Sequence, residues 1–305
     1  MVVQIPAAGR SLTLAMDDDA PILIRCHGNP ASEVRLYVSH GNGFATDGYL
    51  PFWGPLGDGF ELALFDMRNH GRNPPSDPAR HSYPQMVRDL DRILDGVERA
   101  LGPKRRVGVF HSMSARAAMK HAIEVGWRWD ALALFDPPNV PPPGHPLYPA
   151  AEAFELRLTE WAKARRARFE DPAELEAEYA ASRAHRKWVA GAHGLMARAV
   201  LRRDQAAGDW VLACPPALEA AIYKAALTLN LWPPASAFAG PVMLIGCDPA
   251  VERAPPPAHA NRILGTEHGY DYATVPGTGH LLQIEEPAAC RDILAAFLAR
   301  HRLAG

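Results

Sequence analysis

A serine, a carboxylate and a histidine stand at the ends of apolar runs in this chain, in an order that suits nucleophilic acyl chemistry. The serine lies in Val107-Gly108-Val109-Phe110-His111-Ser112-Met113-Ser114-Ala115, where an extended run passes directly into a small-residue helical pattern. A sharp strand-to-helix turn lifts a hydroxyl off the top of a sheet. It also sets the next amide, that of Met113, at a helix N-terminus, where it can donate to a developing oxyanion. Such a turn wants small residues two positions either side of the serine; Ser114 complies and Phe110 does not. Ser114 is the poorer nucleophile, because Arg116 would then follow it by two. Read alone, Ser112 is explained as well by a helix cap as by a nucleophile.

Three further segments complete the set. Val275-Pro276-Gly277-Thr278-Gly279-His280-Leu281-Leu282 places His280 on a loop after an apolar run. A lone loop histidine is most often a surface residue, but an imidazole here can take the serine proton near neutral pH and return it to a leaving group. Val242-Met243-Leu244-Ile245-Gly246-Cys247-Asp248-Pro249 puts a carboxylate after a buried run, where it would orient that imidazole. Asp248 is the choice, with Asp136, which also ends an apolar run, as the alternative acid and Glu252 as a further rival. In His40-Gly41-Asn42-Gly43-Phe44 the glycines let backbone approach a substrate closely, and the amide of Asn42 or Gly43 supplies the second oxyanion donor.

These residues need a scaffold that brings strand ends together. Val34–Ser39, Glu61–Asp66, Val107–Phe110, Ala131–Phe135, Val242–Ile245 and Tyr270–Val275 read as strands, several apolar on both faces. Helical patterns separate them: Tyr83 to Leu101, stopped by Gly102-Pro103, then Met113 to about Gly126, and Pro287 to about His301. The alternation predicts an α/β fold with a mainly parallel sheet. It breaks between the proline run after Asp136 and Trp232-Pro233-Pro234. The intervening stretch is rich in Ala, Glu and Arg, with apolar stripes at Phe154/Leu158/Trp161, Leu175/Tyr179/Trp188/Val189, Leu195/Met196/Val200 and Leu218/Ile222/Tyr223. The expected organisation is a core of residues 1–136 and 237–305 carrying an inserted all-helical cap, or lid, of residues 137–236. The aromatics of the insertion give the site an apolar roof, suited to an acyl or aromatic substrate. Arg157, Arg165 and Arg168 read first as a solvated helix face and second as partners for a substrate carboxylate.

Taken in order, these segments resemble the α/β-hydrolase superfamily over nearly the full length. HGNGF at 40–44 resembles its oxyanion segment, FDMRNHGRN at 65–73 its D-x-R-G-H-G-x-S segment, FHSMS at 110–114 its G-H-S-M-G elbow and PGTGHLLQIEEP at 276–287 its histidine segment. The departures are Phe110, Ser114, Asn69 and Asn73, and an acid turn one residue shorter than G-x-x-D. The resemblance implies an eight-stranded sheet, the order Ser112, Asp248, His280 and an acyl-enzyme. It also implies that His70 and His111 serve as packing and hydrogen-bonding residues beneath the site.

Bulk composition excludes several classes. A net charge of −2 over 305 residues offers no concentrated basic face for nucleic acid. Four scattered cysteines read as buried thiols rather than a disulfide framework. No signal-peptide pattern and no membrane-length apolar run appear, so a cytoplasmic protein is expected. No metal-ligand spacing and no nucleotide-binding glycine motif appear, so no cofactor and no metal are expected. The expected function is hydrolysis of a carboxylic ester with an apolar portion. Cleavage of a carbon–carbon bond in a ring-fission product, or of a lactone, is the enzymatic alternative. A non-catalytic ligand-binding protein of the same fold is the reading from another class. The partner is a small molecule, and the sequence leaves the oligomeric state open.

Overall fold

A computed structural model of the chain describes residues 4–304. Eight strands form one sheet: β1 (Arg10–Ala15), β2 (Pro21–Gly28), β3 (Val34–Ser39), β4 (Glu61–Phe65), β5 (Arg105–His111), β6 (Ala131–Phe135), β10 (Val242–Cys247) and β11 (Asp271–Val275). Their order is β1-β2-β4-β3-β5-β6-β10-β11. The β1–β2 and β2–β4 pairings are antiparallel; from β4 through β11 every pair is parallel.

Parallel strands need crossovers, and the crossover helices cover both sheet faces. Val34, Leu36 and Val38 of β3, with Ala131, Ala133 and Phe135 of β6, enter one apolar layer, which α1 (Leu50–Trp53) and the C-terminal helix line. Tyr37, Leu132 and Leu134 enter the other, under α2 (Tyr83–Leu101) and α3 (Met113–Glu124). The strands β3 to β6 and β10 are therefore apolar on both faces rather than alternating.

The six expected strands are all present. The edge hairpin β1–β2 has no counterpart among the strands read from the sequence. Arg10–Ala15 alternates between exposed and half-buried residues, and Asp17-Asp18-Asp19 between the two strands masks the hairpin pattern.

The segment between β6 and β10 carries α4 (Tyr148–Lys163), α5 (Pro172–Ala181), α6 (Ala192–Val200) and α7 (Pro216–Ala225). It is not wholly helical. β7 (Arg168–Phe169), β8 (Leu201–Arg203) and β9 (Trp210–Leu212) make a small antiparallel sheet in the order β7-β9-β8. The hairpin forms because Asp204 accepts the amides of Ala206 and Ala207, and Gly208 takes a positive φ of 75° to close the turn. Trp188 and Val189 lie beyond α5 in a loop rather than on its stripe. After β10 come α8 (Pro256–Glu267), β11, α9 (Leu282–Glu285) and α10 (Pro287–Arg300). The three prolines Pro255-Pro256-Pro257 conceal α8 in the sequence, yet they occupy its cap and first turn, where proline is tolerated. Among the described residues no helix is long and apolar enough to cross a membrane, and all four cysteines are buried free thiols.

Candidate active site

Three strand ends meet at the carboxyl edge of the parallel sheet. β5 delivers Ser112 into an abrupt turn onto α3. Ser112 has φ 51° and ψ −109°, a left-handed region unfavourable to a residue with a Cβ, and strain of this kind costs about 1–3 kcal/mol. The turn is held on both sides: the Ser112 amide donates to the Phe135 carbonyl at 2.9 Å, and Arg116 N donates back to the Ser112 carbonyl at 3.0 Å. Ser114 closes it from beneath. Its hydroxyl donates to the His111 carbonyl at 3.0 Å and accepts the His111 amide at 3.1 Å.

Phe110 fits because Gly108 makes room for it. A Cβ on Gly108 would lie 2.5 Å from the Phe110 ring and 2.5 Å from Leu132. The ring is fully buried, edge-on to Phe65 and Trp129. Phe110 thus packs under the sheet face covered by α2 and α3, and the elbow keeps its geometry with a large residue where a small one was expected.

His280 stands on the loop after β11. Its Nε2 lies 3.0 Å from Ser112 Oγ and its Nδ1 lies 2.6 Å from Asp136 Oδ2. Asp136 follows β6 with φ 43° and is completely buried. Its other oxygen accepts Cys247 N at 3.1 Å and Asn261 Nδ2 at 2.9 Å. Burial works against charge on this carboxyl, but the His280 hydrogen bond, the His280 charge and the Cys247 amide outweigh it and hold Asp136 below the ordinary carboxylate range. An ionised Asp136 only accepts, so Nδ1 of His280 carries the proton and Nε2 presents its lone pair to the serine.

The carboxylate at His280 is therefore Asp136 and not Asp248. Asp248 Oδ2 accepts the Gly277 amide and its Oδ1 the Ala250 amide, each at 2.8 Å. Those two bonds, above all the one to Gly277, keep its carboxyl below the usual range. The short Gly246-Cys247-Asp248 turn swings this side chain onto the loop backbone that leads to His280, away from the imidazole. Glu252 is an exposed residue on the same segment.

Two loops bracket the serine. The turn His40–Phe44 passes so close that a Cβ on Gly41 would lie 2.8 Å from His111 Nδ1 and 3.2 Å from Ser112 Cβ. The Gly43 amide is already engaged, donating to His70 Nε2 at 3.2 Å. The backbone amides of Asn42 and Met113 have no acceptor among the described residues, and both residues line the same cavity as Ser112. Of the two candidates in the turn, Asn42 has the free donor. The Asn42 side chain ties this loop to the insertion, donating to the Glu219 carbonyl at 2.8 Å.

His111 sits below, not beside, the hydroxyl. Its Nε2–H donates to the His280 carbonyl at 2.9 Å, and its Nδ1 accepts from Tyr49 Oη at 2.8 Å. Burial, with His280 nearby, lowers its pKa to about 3, so it is a neutral strut under the His280 loop. Glu285 braces the same loop by accepting the Gly279 amide at 2.8 Å. Neither bond had a sequence signal of its own, since both depend on a loop folding back across the sheet. His70, His81 and Cys214 bring ligand atoms within 4.8 Å of one another and are the described residues best placed to hold a metal. Both His70 nitrogens are occupied, by the Arg68 carbonyl and the Gly43 amide, and burial pushes the Cys214 thiol well up, so the trio is best explained as packing.

The triad opens into a cavity of about 530 Å³ between core and insertion. Phe44, Phe154, Leu158, Trp161, Ile222 and Leu281 supply its apolar wall. Its polar inner wall holds Arg116, which meets Glu155 at 2.5 Å in a buried ion pair linking α3 to α4. Burial raises the Glu155 carboxyl above its ordinary range even with Arg116 beside it. Arg165 and Arg168 do not face this space as free charges: Arg165 pairs with buried Glu219, and Arg168 with Asp204 and Asp209. A roomier cleft of about 790 Å³, against His27, Gly28 and Lys104, lies at the amino edge of the parallel strands and includes neither Ser112 nor His280.

A sequence model of the alpha/beta hydrolase family matches residues 36–293. Proline iminopeptidase PfmaB of Pestalotiopsis fici is 27% identical over 158 residues, a match spanning 52% of this chain and only 50% of that protein. Among solved structures, E-2-(acetamidomethylene)succinate hydrolase superposes with a TM-score of 0.71 at 18% identity, covering 95% of this chain and 99% of that one. An alpha/beta hydrolase from Novosphingobium aromaticivorans gives 0.70 at 17% identity, covering 97% and 99%. At such identities the structural likeness speaks for the fold alone.

Proposed function

Since this chain belongs to the alpha/beta hydrolase family, we propose that it cleaves a carboxylic ester with an apolar or aromatic portion through a covalent acyl-enzyme. The observation that carries this reading is the unbroken hydrogen-bonded line Ser112 Oγ, His280 Nε2, His280 Nδ1, Asp136 Oδ2.

His280 Nε2 takes the serine proton as Oγ attacks the ester carbonyl, and buried Asp136 stabilises the imidazolium that forms. The carbonyl oxygen gains negative charge in the space that Asn42 and Met113 border, where their backbone amides receive it; the Met113 amide is helped by the positive end of α3. His280 then returns the proton to the leaving alcohol. Water repeats the sequence in reverse, with His280 as base again, and frees the acid. The apolar wall of the cavity suits an acyl chain or ring, while the strained elbow keeps Oγ exposed to it.

The relative that is a proline iminopeptidase makes a peptide bond the second substrate class to test; the same triad chemistry serves an amide with an amine as leaving group. A panel of p-nitrophenyl esters and aminoacyl p-nitroanilides, run on parent and Ser112→Ala protein, separates the readings. Ester turnover that disappears in Ser112→Ala supports the proposal. Anilide turnover without ester turnover moves it to amides, and parental ester turnover in Ser112→Ala overturns it.

A further inference from the structure

The mouth of the active-site cavity differs from its interior. Outside the apolar wall lies a vestibule of about 470 Å³, lined by Arg183, Arg186, Lys187, Val251, Glu252 and Arg253. All six also line the cavity that holds Ser112 and His280, so the two spaces form one passage. The segment after α5 supplies one side and the segment after β10 the other. Four cations and one carboxylate thus surround the opening of a chain whose net charge is −2.

These charges are not consumed by the protein. Arg183 and Arg186 have no carboxylate within 4 Å among the described residues, in contrast with Arg165, Arg166 and Arg168 in the same insertion. Lys187 donates to the Gly277 carbonyl and makes no ion pair within 4 Å among the described residues, although its charge reaches the Asp248 and Glu285 carboxylates. Arg253 stands 3.7 Å from Glu252, with both side chains almost fully exposed, a geometry that contributes little. Exposed like charges facing one another across an opening repel, and nothing in the packing requires them. An opening at which cations outnumber carboxylates four to one draws in ligands of negative charge. Guanidinium groups in particular grip carboxylate or phosphate through two parallel hydrogen bonds.

Resting on the esterase reading, we infer that the vestibule selects substrates carrying an anion at the end remote from the scissile bond. The substrate class is an ester with an apolar segment next to the reacting carbonyl, long enough to cross the inner cavity, and a carboxylate or phosphate beyond it. The apolar segment meets Phe154, Leu158 and Trp161; the anion emerges between Arg183, Arg186 and Arg253.

The test compares matched p-nitrophenyl esters differing only at the far end of the acyl chain. One arm ends in a free carboxylate, one in a phosphate monoester and one in the neutral methyl ester. At low ionic strength kcat/KM for a charged arm is expected to exceed that of the neutral arm by about tenfold or more, and to fall as salt is raised. The carboxylate and phosphate arms separate the two sources of anion. In an Arg183→Gln/Arg186→Gln protein the charged-to-neutral ratio is expected to collapse toward one. Arg92→Gln, which removes an exposed charge on α2, keeps the parental ratio. A ratio near one for both anions in the parent, or a ratio unchanged in the double variant, overturns the inference. Titration calorimetry of the three arms on Ser112→Ala protein reads anion preference without turnover. Should no ester be cleaved, preferential binding of a charged arm there sustains the vestibule while the esterase reading fails; equal binding of all three arms overturns the vestibule.

Discussion

Replacing Asp136 with Asn should cripple the enzyme while leaving its shape intact, and the structure says why. Two donors, Cys247 N and Asn261 Nδ2, already point at Asp136 Oδ1. An asparagine must keep its oxygen there, which turns its NH2 group toward His280 Nδ1. That nitrogen must then accept, so the imidazole proton moves to Nε2 and faces Ser112 at 3.0 Å with nothing to receive the serine proton. The imidazolium also loses its buried counter-charge. Losses of this kind reach about 10³–10⁴ in kcat, or about 4–5.5 kcal/mol of barrier. Asp248→Asn loses only part of a two-amide anchor, and a drop of less than about tenfold is expected. The assay is steady-state cleavage of whichever p-nitrophenyl ester the parent turns over, with thermal unfolding to confirm that both variants fold. Severe loss in Asp248→Asn together with near-parental Asp136→Asn would refute the assignment.

Other predictions follow from particular contacts. Gly41→Ala places a Cβ against His111 and Ser112 and should shift the oxyanion turn, lowering kcat by about ten- to a hundredfold with little change in KM; unchanged kcat counts against the role of this turn. Gly108→Ala should destabilise the fold by about 1–3 kcal/mol by crowding Phe110 and Leu132, and Phe110→Leu in the same protein should recover part of it; additive losses in chemical denaturation contradict the packing. His111 and His81 are buried, with pKa lowered to about 3 and about 4. The unfolded chain takes up protons on them near pH 6.5 while the folded chain does not. Their contribution is therefore intact above about pH 6.5 and drains away as pH falls toward the folded values, by about 1.4 kcal/mol per pH unit for each. A melting temperature that does not fall between pH 6.5 and 5 would contradict their burial as neutral groups.

Much of the core could be read from residue types because its strands are buried on both faces and leave continuous apolar runs, as in Val34–Ser39 and Ala131–Phe135. Ser112 and His280 were also legible, since an elbow and a glycine-bounded loop each leave a local mark. The acid was harder. Asp136 and Asp248 both follow buried strands, and local pattern cannot tell which side chain turns toward His280, more than thirty residues away from either. Tertiary contacts decide it: Cys247 N and Asn261 aim Asp136, while Gly277 captures Asp248. The misfit at Phe110 has the same origin, because the space it fills is left by Gly108 on its own strand, with Leu132 of the next strand against the same gap. The small sheet in the insertion escaped notice because three-residue strands carry too little periodicity to stand out from helical composition. The vestibule is legible only once two segments some seventy residues apart face each other.

Intact-mass analysis of protein quenched during turnover of a p-nitrophenyl ester, followed by peptide mapping, puts the acyl-enzyme to the most direct test. The expected result is one acyl group per chain on the peptide containing Ser112, and none on a His280→Ala protein quenched at the same time. Continued turnover with Ser112 unmodified and the acyl group elsewhere, or equal labelling without His280, would contradict the account.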